Sequence, residues 1–383
     1  LKSRVLQILE DLIRIESVNP HFDQQASGEG EIVRYIERFC REAGLSAARQ
    51  PVFPGRDNVL IELKTGHPDR VLLFEAHMDT VSLGSMPDPL VPVMSGDRLY
   101  GRGACDTKAS LAAMLSAFEY LVHQQDSLSC DLVLCASVDE EHAYRGLMAF
   151  LEFDLPISGA VVGEPTNLEL VVAHKGCVRF AVETHGKAAH SSVPHQGDNA
   201  IKQMCKVIDY FSRIVEPKLS ASVHPLCGSP TISVGIIQGG SQINIVPERC
   251  RIEVDRRIIP GEDPERVMEE IGNELQTNLS PLGVSLQTRE LLLDWALNTP
   301  IDSEIVLSAQ RAAEQLSLNC VPSGATYGSD ASKLQALKGI PSIVLGPGSI
   351  HQAHSVEEWV SMKEVELAEK LYIRLAQQFG KRS

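Results

Sequence analysis

The stretch Val71-Leu72-Leu73-Phe74-Glu75-Ala76-His77-Met78-Asp79-Thr80 decides how this chain folds. Its apolar run at 71–76 reads as a strand, and His77 and Asp79 follow where that strand would end. Outward from it, 58–63, 132–138, 160–162 and 342–345 read as further strands. Between and around them lie helical spacings. Val5, Ile8, Leu9 and Leu12 recur at i, i+3, i+4 and i+7. A second helix starts near Glu29 and stops at Gly44, a left-handed cap. Leu111, Leu115, Phe118 and Val122 mark one face of a helix at 109–122, and two more helices are expected at 303–316 and 362–379. Strands alternating with helices predict an α/β domain, a mostly parallel sheet covered by helices.

The pattern changes near Gly176. Strands at 177–184, 231–238, 249–257 and 283–291 interleave with helices at 199–214 and 264–275. The order β-α-β-β-α-β is that of the ferredoxin-like α+β unit. Two domains also suit a chain of 383 residues, too long for one ordinary core. The expected organisation is a discontinuous catalytic domain, 1–176 with 293–383, and an inserted lid or dimerisation domain at 177–292.

Composition bounds the partners. With 35 Lys and Arg against 50 Asp and Glu, the net charge of -15 argues against nucleic acid and anionic membranes. No stretch reaches the roughly 18 apolar residues of a membrane span. Glu10, Asp11 and Arg14 break the first apolar run, so no signal peptide is expected. The nine cysteines form no C-x-x-C pair, which suggests reduced thiols and a cytoplasmic protein.

Five segments carry candidate metal ligands: His77-Met78-Asp79; Gly101-Arg102-Gly103-Ala104-Cys105-Asp106; Asp139-Glu140-Glu141; Gly163-Glu164-Pro165-Thr166; and Ala353-His354. Four follow the carboxyl end of an expected parallel strand, where open α/β sheets bind ligands. Two imidazoles with three carboxylates suit a pair of divalent ions, zinc, cobalt or manganese, if one carboxylate bridges. Such a pair can share a hydroxide and polarise a carbonyl, and a carboxylate that is not a ligand must then take the proton of water. Adjacent Glu140 and Glu141 would divide those tasks, and Asp79 would orient His77 through its second ring nitrogen.

Taken in order, these motifs resemble the metallopeptidase family of acetylornithine deacetylase, succinyl-diaminopimelate desuccinylase, aminoacylase and glutamate carboxypeptidase, over nearly the whole chain. The resemblance implies that Asp106 bridges two metals, that His77 and Glu164 complete one site, and that Glu141 and His354 complete the other. It makes Glu140 the general base and Asp79 the partner of His77, and it implies a cis peptide at Asp106–Thr107. In the insert, His190-Ser191-Ser192, Gly239-Gly240 with Asn244, and Asp255-x-Arg257 resemble the family's substrate motifs. His190 would then be catalytic, lent across a homodimer formed through the inserted domain, while Arg257 would hold a substrate carboxylate. The implied substrate is a small N-acyl amino acid or short peptide.

Several readings compete. The run Leu345-Gly346-Pro347-Gly348 through Gln352-Ala353-His354 resembles acetylornithine deacetylase, as does Ala173-His174-Lys175-Gly176, whereas Gly328-Ser329-Asp330-Ala331 resembles the carboxypeptidase and aminoacylase branches. A desuccinylase, a dipeptidase or a non-catalytic binding protein on the same fold are the alternatives. His351 competes with His354, whose Ala-His context favours it. The Gly101-x-Gly103 loop lacks the third glycine of a dinucleotide fingerprint, and Cys105 reads as a buried bystander.

Overall fold

The computed structural model describes residues 2–381. Contacts divide the chain into one unit of Leu1–Val172, Thr299–Ser323 and Ser329–Ser383 and a second of Ala173–Asn298 and Gly324–Gly328. The second unit thus starts and ends a few residues outside the expected 177–292 and takes in a short return segment from late in the chain.

The first unit is built on a mixed sheet. Asp131–Ser137, Val71–His77, Ile157–Val162 and Ser342–Val344 lie side by side and parallel. The hairpin Ser46–Phe53 and Arg56–Leu63 joins antiparallel on the Asp131 side. Every residue of Val71–His77 and of Asp131–Ser137 is buried, as expected of strands covered on both faces. The helix Lys108–Leu121 packs on the Val71–His77 strand and also against Arg4–Arg14 and Met362–Gln378. It was expected to bury one face, yet all but Glu119 and Tyr120 of its residues are buried. Ala109, Ala112, Ala113 and Ala117 make this possible, because small side chains let neighbouring elements approach from several sides. Gly44 closes the Gly30–Ala43 helix in the left-handed conformation (φ 72°).

The second unit has a four-stranded antiparallel sheet in the order Thr231–Gly239, Arg249–Ile258, Gly176–His185, Leu286–Asp294. Strict alternation buries Cys250, Ile252, Val254 and Ile258 with Val178, Phe180 and Val182. Residues of Ala200–Tyr210 and Pro264–Leu279 complete this core. Asn199 and Asp263 cap those helices by accepting from Lys202 N and Arg266 N. The helix expected at 199–214 continues through a π-helical turn, Phe211–Val215, into Glu216–Ser220.

Candidate metal centre

Parallel strands deliver the site. His77 is the last residue of its strand and pairs with Ser137, the last residue of the next. Beyond Ser137 the chain makes a single helical turn, Glu140–Ala143, and beyond Val162 comes Gly163-Glu164. Gly146 lets the segment after that turn close onto the sheet, since a Cβ there would stand 2.3 Å from Val138 O. On the loop before the Lys108–Leu121 helix sits Asp106, and its bond to Thr107 is cis, as the resemblance implied.

Asp106 holds the centre of the arrangement. Its Oδ1 lies 3.0 Å from His77 Nε2 and its Oδ2 lies 3.2 Å from His354 Nε2. His354 Nε2 is also 3.1 Å from Glu141 Oε2, while His77 Nε2 is 3.7 Å from Glu164 Oε1 and 3.9 Å from Glu140 Oε2. Ligand atoms about 2.0–2.2 Å from a tetrahedral ion are separated by about 3.3–3.6 Å. These spacings therefore suit two groups of donors meeting at one carboxylate. Among the described residues, two clusters have ligand atoms close enough to hold an ion: His77 with Asp106 and Glu141, and His77 with Glu140 and Glu164. Both share His77, and they differ from the expected sets in placing Glu141 beside His77 and counting Glu140 among the donors. His351 is exposed, and the carboxylate contacts of this segment go to His354, which has left-handed backbone (φ 60°).

The charge balance points the same way. Burial, reinforced by the Asp106 carboxylate, pushes Glu164 up to about 8 and Glu141 up to about 7. Burial also raises Glu140 well above the usual carboxylate range. Asp106 is equally buried, but hydrogen bonds from His354 and His77 hold it below that range, and Asp106 and Glu141 in turn push His354 up to about 10. Four carboxylates thus face two imidazoles, the buried His77 and the half-exposed His354, with too little positive charge. Two divalent cations fit that deficit, and the donor types suit them.

His77 donates its Nδ1 proton to Asp79 main-chain O at 2.9 Å, which leaves Nε2 free to ligate. The orienting contact expected from the Asp79 carboxylate is longer, 3.6 Å from Nδ1. That carboxylate instead accepts from Asn19 Nδ2 (2.8 Å), Glu140 N (3.1 Å) and Glu141 N (3.2 Å). It anchors the turn that carries both glutamates. Glu358 does the same for the Asp106 loop: Oε1 accepts from Cys105 N and Asp106 N, and Oε2 from Gly103 N and the Arg102 guanidinium. Sequence reasoning missed Asn19 and Glu358; for Glu358 the only signal was its place four residues after His354. Cys105 is buried with its thiol donating to Ser349 O, and burial raises its pKa well above the usual thiol range.

The remaining candidates lie in the second unit. His190 and Asn244 come together there: His190 bridges to Ile245, and Ser191 N donates to Asn244 O at 3.0 Å. Ser192 N donates to His190 Nδ1, which places the ring proton on Nε2. Arg257 is about one-third exposed and paired with Asp255 at 2.8 Å.

The chain is 32% identical over 360 residues to an acetylornithine deacetylase of Myxococcus xanthus, covering 91% of this chain and 92% of that one. The structure of aminopeptidase PepT from Bacillus cereus superposes with a TM-score of 0.80 at 21% identity, covering 99% of this chain and 98% of that one. The YXEP protein of Bacillus subtilis, described as a dinuclear metal-binding peptidase, gives 0.76 at 16% identity, with 98% and 97% covered. Residues 73–378 match the family described as peptidase family M20/M25/M40. The chain belongs to that family, whose members are metal-dependent hydrolases of amide bonds.

Proposed function

We propose that this protein removes the acyl group from a small N-acyl amino acid, in the manner of acetylornithine deacetylase. The observation that carries the reading is Asp106, whose two oxygens face two different histidines. The relative at 32% identity over most of both chains directs the substrate assignment. His77, Asp106 and Glu164 would hold one ion, and Asp106, Glu141 and His354 the other. Two zinc, cobalt or manganese ions, when bound, supply the polarisation of the amide carbonyl and the acidification of water. Glu140 takes the proton from water and returns it to the leaving amine, while Asp79 holds the backbone of the Glu140 turn in place. His190 donates from Nε2 to the developing oxyanion, and Asn244 and Arg257 bind substrate, Arg257 through the free carboxylate.

A homodimer would complete the site with His190 from a second copy. Its support is Thr231–Gly239, the edge strand of the inserted sheet, where Ile236 and Ile237 are 48% and 56% exposed. Mixing His190→Ala with Glu140→Ala chains should restore activity to a pair of inactive proteins. A peptidase is the second reading, favoured by Gly328-Ser329-Asp330-Ala331 and by the likeness to an aminopeptidase. One hydrolysis panel decides: N-acetyl-ornithine, other N-acetyl amino acids, N-succinyl-diaminopimelate and dipeptides. Fastest turnover of a dipeptide would replace the deacylase reading, and turnover of none, with both metals bound, would point to a binding protein.

A further inference from the structure

Lys333 is a charged side chain that the proposed chemistry does not use, yet it is 1% exposed. It belongs to the helix Ala331–Lys338. Its ammonium donates to Ser329 O at 3.1 Å, stands 3.9 Å from Asp330 Oδ1, and lies 3.5 Å from the centroid of the Tyr144 ring. An ammonium taken out of water is costly, so its contacts must replace hydration; a carbonyl, a carboxylate and an aromatic face do so.

Tyr144 is the residue that ends the turn bearing Glu140 and Glu141. That turn is four residues long, far too short to persist by its own hydrogen bonds. Both flanking residues are left-handed, Asp139 at φ 68° and Tyr144 at φ 57°, so outside contacts must set its orientation. At the leading end these are the Asp79 carboxylate on Glu140 N and Glu141 N, and Arg145 and Arg56 on Asp139. At the trailing end the Tyr144 ring rests on the Lys333 ammonium, while Tyr144 N only closes the turn on its own Asp139 O.

We propose that Lys333 is a positioning residue: its buried ammonium, fixed on Ser329 O and beside Asp330, seats the Tyr144 ring and so aims Glu140 and Glu141. This rests on the proposed function for the roles of the two glutamates. It predicts two separable effects, because Glu140 would act on the proton of water and Glu141 would hold an ion. A reacting group displaced by about 1 Å loses on the order of a hundredfold in rate, and a partial displacement loses less.

The test uses the full-length protein loaded with cobalt. Lys333→Met should lower kcat by about tenfold with KM within about twofold, and should shorten the time for a chelator to strip the more weakly held ion by a similar factor. Tyr144→Leu should match it, Tyr144→Phe, which keeps the ring face, should restore both values, and the double variant Lys333→Met/Tyr144→Leu should be no worse than either single one. Additive losses, or a lower melting temperature with kcat and cobalt retention unchanged, would overturn the proposal. Should Lys333→Met not fold, Tyr144→Leu against Tyr144→Phe decides by the same two readouts. A wild-type protein that turns over none of the panel substrates would sink the functional reading alone, since cobalt retention still tests the clamp.

Discussion

Replacing Glu358 by Gln should loosen the Asp106 loop, and the structure allows the size of the effect to be worked out. Glu358 is 1% exposed and accepts four hydrogen bonds: from Cys105 N (2.9 Å), Asp106 N (3.0 Å), Gly103 N (3.1 Å) and Arg102 Nη1 (2.7 Å). Burial pushes its pKa up, but with four donors aimed at its two oxygens a proton there would have no acceptor, so the group is a carboxylate. Gln keeps the shape and one acceptor oxygen. Its NH₂ group must then face either two backbone N–H groups or the Arg102 guanidinium with Gly103 N. Two of the four bonds are lost, and Arg102, itself 3% exposed, loses its counter-charge. Buried donors left unsatisfied cost about 1–3 kcal/mol each, and breaking a buried ion pair costs about 3–5 kcal/mol. These terms overlap on the same atoms, so the expected loss is about 3–5 kcal/mol, a large part of a typical net stability of about 5–15 kcal/mol. Urea denaturation of the metal-free protein measures it directly, and metal content after dialysis against a weak chelator reads the displacement of Asp106. An unchanged urea midpoint together with full metal retention would refute the reasoning, because it would mean the four donors find other acceptors.

Four further outcomes are expected. Glu140→Gln should keep about two metals per chain while kcat falls by about 10²–10⁴-fold, whereas Asp106→Ala should lose metal as well; metal analysis beside steady-state kinetics separates them. Asn19→Leu removes the amide that joins the Asp79 and Asp139 carboxylates at 2.8 and 3.0 Å, and should cost about 2–4 kcal/mol in urea denaturation, since both acceptors are buried. Arg257→Lys should raise KM about tenfold for substrates with a free carboxylate and leave their amide analogues unaffected, because an ammonium cannot reproduce a bidentate guanidinium pair. Although burial opposes it, hydrogen bonds from Thr65 N, His67 N and Thr65 Oγ hold Asp131 below the usual carboxylate range. A depressed folded pKa stabilises above the unfolded value of about 3.9 and stops doing so as pH falls through the folded one, so the stability gap between wild type and Asp131→Asn should shrink from pH 6 toward pH 3.

Local sequence carried those parts of the site that announce themselves by residue type and place. His77, Glu140, Glu141 and Glu164 each follow an apolar strand, so their position was readable from one short window. The helix at 109–122 was legible as a helix but not as a fully enclosed one, because burial on every side depends on Arg4–Arg14 and Met362–Gln378, which lie far away in sequence. The strand Ser46–Phe53 was missed: with Arg49, Gln50 and Pro51 in its middle it reads as polar connection, and it is kept in place by pairing at the sheet edge. Glu358 was hidden for a related reason. In sequence it is half of an acidic pair before Trp359, the usual look of a solvated turn, and its four donors lie more than 250 residues earlier. Lys333 sits in a short helix where a lysine normally faces water. Only tertiary contacts distinguish such residues from surface charges.

The pairing of Glu140 with Glu141 shows how backbone form turns two identical neighbours into different tools. Successive side chains on a strand point to opposite faces of the sheet, so two glutamates placed there could not both reach one pocket. On a helical turn successive side chains are separated by about 100°, close enough to share a pocket and far enough apart to face different parts of it. The left-handed Asp139 makes the switch from strand to helix just before the pair. Glu140 then turns toward His77 and Glu164, and Glu141 toward Asp106 and His354. One carboxylate, Asp79, accepts from the backbone N–H of both. Rotating the turn to improve either glutamate would therefore break the hydrogen bond that holds the other, and this coupling fixes the two groups at their separate positions with a single buried anchor.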